Sequence, residues 1–152
     1  MGDMGFAIST YQNHVITVWR KPATVDALRE LRDVERRLLK ANPQGISGIT
    51  VMEPSSFDRV MGAAEREEAS SIAKEFADRT LAGTYVFEGE GFRAAMARAV
   101  VSGILLVSRA RYPNKVFATV QEGLTWLRST LGPPVDDVAL AERIAETRAR
   151  IR

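Results

Sequence analysis

A chain of 152 residues, 45% hydrophobic and 26% charged, has the size and composition of one globular domain that buries about two thirds of its unfolded surface; a disordered chain and a coiled-coil rod are both excluded. The 21 Lys and Arg against 19 Asp and Glu leave a net charge of +2, too small an excess to argue for nucleic acid as a partner. With no cysteine, disulfides, thiol catalysis and cysteine metal sites all drop out. The opening MGDMGFAIS has neither a basic nor an apolar leader segment, and the longest apolar stretch, VVSGILLV at 100–107, falls short of the ~18–20 residues of a membrane span. The expected setting is the cytoplasm, with no membrane.

FAISTYQNHVITVW predicts two strands joined at Gln12, Asn13 and His14, since β-branched and aromatic residues flank a polar break and Asn tolerates the positive φ of a hairpin turn. In that turn His14 is expected to be solvated. A helix should follow, capped by Thr24, with Asp26 in its first turn and Val25, Leu28, Leu31, Val34 and Leu38 on one apolar face. Asn42-Pro43-Gln44-Gly45 ends it, and ISGITVM forms a short buried strand. In VMEPSSFDRVM, the pattern Ser55-Ser56-Phe57-Asp58 fits a helix start, with Ser55 capping the amide of Asp58. The helix would run from Phe57 to about Arg79 through Val60, Met61, Ile72 and Phe76, with Gly62 and the run EREEASS able to bend or interrupt it.

AGTYVFE, 82–88, is a fourth strand, and the glycines of GEG make a tight turn into a third helix from Phe92 to about Ser108. That turn is a poor phosphate cradle, because Glu88 and Glu90 put negative charge where a phosphate would sit. KVFAT is a fifth strand, and Thr119-Val120-Gln121-Glu122 is a capping box that opens a fourth helix ending at Gly132. The last segment, 133–152, forms an amphipathic fifth helix, docked or loosely held, with Val138, Ala141, Ile144 and Ala145 on or near one side. The order predicts a single α/β domain over 1–132: a mixed, largely parallel five-stranded sheet with an opening hairpin, covered by four helices, plus the C-terminal helix.

In VWRKPATVDALREL, VFEGEGFRAAMARAV and KVFATVQEGLTWL, and in its element order over residues 6–131, the chain resembles the STAS family, the anti-sigma-factor antagonist fold, and within it a divergent bacterial branch. The resemblance implies action through protein contacts. It also implies a phosphoacceptor between the third strand and second helix, at Ser55 or Ser56; of the family's Asp-Ser-(Ser, Thr or Ala)-Gly motif only the serines are present.

No catalytic constellation emerges. His14 is the only histidine, so histidine-paired catalysis and multi-histidine metal sites cannot be built in one chain, and the acids of EREE read as a solvated face. No cofactor and no metal are expected. The third helix is apolar nearly all round, which calls for burial on more than one side. Phe92, Met96, Ala97, Val100, Val101 and Ile104 are therefore the expected interface, with a protein partner or a second copy in a homodimer. The function expected from these features is a non-enzymatic regulatory or protein-interaction module; the alternative is a binder of a small apolar or nucleotide-like ligand.

Overall fold

Residues rich in Val, Ile, Thr and aromatics make the strands, and their alternation decides which helix each face receives. The computed structural model describes residues 5–59, 61–108 and 110–152. Strands β1 (Phe6–Tyr11), β2 (His14–Trp19), β3 (Ile46–Met52), β4 (Thr80–Phe87) and β5 (Asn114–Phe117) form one sheet in that order. β1 is antiparallel to β2, and the remaining neighbours are parallel. The fold is α/β with a mixed sheet, as the element order predicts.

Because β2 to β5 advance in one direction, right-handed crossovers place all three connecting helices on the same face. These are α1 (Val25–Ala41), α2 (Ala63–Phe76) and α3 (Gly91–Ser108). Trp19, Ala27, Leu28, Ile72 and Phe76 pack together there. The opposite face is covered by α4 (Val120–Leu131) and α5 (Asp137–Ala149). Ile16, Val18, Ile49, Val51 and Val86 meet Leu124, Leu127, Leu140, Ile144 and Ile151 in that second core. The last helix is therefore part of the core.

Thr24 caps α1 through the amide of Ala27. Thr119 accepts from the amide of Glu122 and is also 3.0 Å from the Glu122 carboxylate. Gly89 and Gly91 have φ of 116° and 88°, so the GEG turn needs glycine where the sequence has it.

Five expectations are corrected. Only Gln12 and Asn13 make the hairpin turn, with Gln12 at φ 52°. His14 is a β2 residue only 2% exposed, with Nδ1 3.0 Å from the Ser47 hydroxyl on the neighbouring strand. Ser55 caps no helix: Pro54–Phe57 is a single 3-10 turn led by Glu53, and the Ser55 hydroxyl donates back to the carbonyl of Arg20. The following helix starts only at Ala63, after Gly62; a proline-led turn and a glycine interrupt the periodicity. Val60 lies outside the described residues. In α5 the inward face is Leu140, Ile144 and Thr147, whereas Val138, Ala141 and Ala145 are exposed. A buried threonine disguised that face as polar.

Among the described residues no helix is long and apolar enough to cross a membrane.

Candidate functional site

The sheet lacks side chains at its centre on the face covered by α1 and α2. β3 carries Gly48 and β4 carries Gly83, and the parallel register sets the two side by side. Ordinary strand residues there would fill the layer beneath the helices. Instead a cavity of about 280 Å³ opens between the sheet and α1, α2 and α3. Its floor includes Val15, Thr17 and Trp19 of β2, Thr50 and Met52 of β3, and Tyr85 and Phe87 of β4. Leu28, Leu31 and Glu35 of α1, Ile72 and Phe76 of α2, and Val101 of α3 close it.

The two glycines do different things. A Cβ at Gly83 would stand 3.1 Å from the Tyr85 ring and 3.3 Å from the Tyr112 ring, so glycine lets both tyrosines lie close over β4. A Cβ at Gly48 would meet nothing within 4 Å. That position is open floor.

Besides its threonines, the apolar wall is interrupted by Glu35, Tyr85 and Tyr112. The hydroxyls of Tyr85 and Tyr112 are hydrogen-bonded to each other, and both tyrosines feel the charge of Glu35. Burial pushes the Glu35 carboxyl up to about 7, with Glu75 adding to the rise and Arg32 opposing it. Burial is also the main cause that raises both tyrosines above their ordinary range.

The helix seam explains why Glu35 is left alone. Arg32 reaches Glu68 at 2.7 Å, Arg36 reaches Glu75 at 2.6 Å and Arg29 reaches Glu68 at 3.4 Å. Arg32 Nε lies 3.2 Å from Glu75, but out of hydrogen-bonding alignment, and has no such partner. Glu68 belongs to the EREE run, so that run is partly a helix-pairing surface. Glu35, on the same helix as these arginines, lines the cavity instead; among the described residues no cation pairs with it.

A second polar cluster sits at the ends of β3 and β4. Arg148 of α5 bonds Glu88 through both terminal nitrogens at 2.7 and 2.9 Å and Glu53 at 2.8 Å. Arg20 adds a 2.7 Å bond to Glu53. Its guanidinium, helped by that of Arg148, holds the Glu53 carboxyl below the usual range. Two acids and two bases satisfy one another, so this cluster ties α5 to the sheet and leaves no spare charge for a ligand. Ser55 and Ser56 lie beside it. Ser55 is exposed, whereas Ser56 is 3% exposed and donates to the Glu53 carbonyl at 2.7 Å.

The residues expected at an interface split between two sides of α3. Phe92, Met96 and Val100 are exposed on the outer side, Phe92 by 81%. Ala97 and Val101 are half-buried on the inner side, and Val101 lines the cavity. The side chain of Ile104 lies outside the described part of the structure. Among the described residues α3 is thus not buried on more than one side: it stands at the β5 edge, packed mainly on β5 and β4.

The sequence did carry a signal for the cavity, which the helix pattern obscured. Leu28, Leu31, Glu35 and Leu38 follow helical spacing, so Glu35 occupies an apolar-face position. Glycines inside two adjacent strands mark a place where something else approaches the backbone. The chain matches no family model, and no curated protein or solved structure is significantly similar to it.

Proposed function

We propose that the chain is a non-enzymatic module of STAS-like type that holds a small, mostly apolar molecule between its sheet and crossover helices. The cavity of about 280 Å³ over Gly48 carries this reading. It is well above the ~150 Å³ of an apolar cavity able to take up benzene, and its mixture of aromatic walls with few polar groups is what small-molecule sites have in common. A nucleotide is less well matched: the one charged residue lining the cavity, among those described, is the acidic Glu35. The substitution Gly48→Val tests the reading, because its side chain has room and a strand favours it. Calorimetric titration with 1-octanol should show binding to the wild type and none to the variant, which should be at least as stable to urea. Equal binding by both proteins would remove the cavity from consideration.

The exposed side of α3 favours a second reading, protein interaction by self-association. Phe92, Met96 and Val100 are uncharged and solvent-facing, and Ala95, Ala99 and Gly103 beside them are small and exposed. An identical helix could approach closely across such a surface, as a two-fold contact requires. Sedimentation velocity should then give a dimer that Phe92→Glu converts to a monomer. A wild-type chain that stays monomeric at high concentration overturns this. For the implied phosphoacceptor, Ser55 is the accessible serine of the pair.

A further inference from the structure

We propose that the molecule held in this cavity is a lipophilic amine, its ammonium group paired with Glu35 and its apolar body lying over Gly48. The inference rests on the cavity being a ligand site, and it names the ligand's chemistry. Glu35 is the single charged residue among the described residues of the lining, and no cation of the described chain pairs with it. An uncompensated carboxylate beside apolar walls is costly, and an opposite charge removes that cost. The charges nearest to it are already engaged: Arg32 with Glu68 and Glu75 across the helix seam, and Glu75 also with Arg36.

The walls fit the same cation. Trp19, Phe76, Tyr85, Phe87 and Tyr112 line the space, and ring faces attract ammonium groups, most strongly where water is excluded. A fatty carboxylate would bring a second negative charge to Glu35. A neutral alcohol would leave Glu35 without a counter-charge.

The closing experiment compares three probes with one apolar chain, 1-octylamine, 1-octanol and octanoate, titrated by calorimetry near pH 6 into the wild type and Glu35→Gln. Glutamine keeps the shape of the protonated acid, so the variant should fold. In the wild type, octylamine should bind at least ~10-fold more tightly than octanol and release about one proton per molecule bound, read from buffers of different ionisation enthalpy. In Glu35→Gln the amine should bind no more tightly than octanol, and the proton release should vanish. Octanol or octanoate binding as tightly as the amine to the wild type would overturn the amine assignment and leave the cavity a site for apolar molecules. Binding of none of the three would sink both.

Discussion

A chain ending at Gly132 is expected not to fold. α5 covers the face of the sheet that no crossover helix reaches, and Val135, Leu140, Ile144 and Ile151 are each at most 6% exposed. Burying each such side chain contributes about 1.5–3 kcal/mol, so four together approach the ~5–15 kcal/mol by which a whole domain is stable. The polar contacts are as specific as the apolar ones. Ser9 of β1 lies 2.6 Å from the Thr147 hydroxyl, and Thr147 in turn donates to the carbonyl of Arg143. Losing α5 would also free the acids Glu53 and Glu88 from Arg148. Urea denaturation followed by circular dichroism should show no cooperative transition for the shortened chain. Leu140→Ala, at a residue 0% exposed, should keep the fold and lose about 2–5 kcal/mol. A shortened chain with the full-length midpoint would show that α5 is an appendage.

The parts of this architecture that were legible in the sequence are those set by local rules. Thr24 and Thr119 sit where caps are needed, and the glycines of GEG sit where φ is positive. Strand and helix periodicities were sufficient for the element order, and handedness then fixed the layers. What stayed hidden depends on pairing between distant segments. His14 looked like a turn residue because nothing local says that Ser47, on another strand, will stand next to it. Ser55 fitted a helix-start pattern, yet Pro54 confines that segment to a short 3-10 turn and the hydroxyl finds Arg20 instead. The cavity exists only through register: Gly48 and Gly83 are 35 positions apart in sequence and adjacent in the sheet. Glu35 is the instructive case, since its place on the apolar face of α1 was visible, but its isolation follows from three neighbouring arginines turning toward α2.

The stability of the wild type should be nearly independent of pH between about 4.5 and 6.5, and two substitutions should reveal opposite slopes beneath that plateau. Burial holds His14 down to about 4 against an ordinary 6.5. The unfolded chain therefore binds a proton that the native one refuses, and stability that is complete above 6.5 is lost as pH falls toward 4. Glu35 acts in the reverse sense. Its folded value of about 7 against an ordinary 4.5 means the native chain keeps a proton the unfolded one gives up, so the stability is complete below 4.5 and lost as pH rises to 7. Each effect reaches at most about 3 kcal/mol, and their slopes cancel where the windows overlap. Glu53 and Glu75, held below the usual carboxylate range by Arg20 and Arg36, contribute stability that is lost only on further acidification. Glu35→Gln should leave the His14 slope alone, so stability climbs with pH across the former plateau by up to ~1.4 kcal/mol per unit. Above pH 7 the variant should exceed the wild type by about 2–3 kcal/mol, as the buried charge is gone. His14→Asn should give the mirror image, stability declining as pH rises, whatever fixed cost the lost contact with Ser47 adds. Urea midpoints measured across this range decide it: a Glu35→Gln profile parallel to the wild type would mean that Glu35 ionises freely in the folded chain.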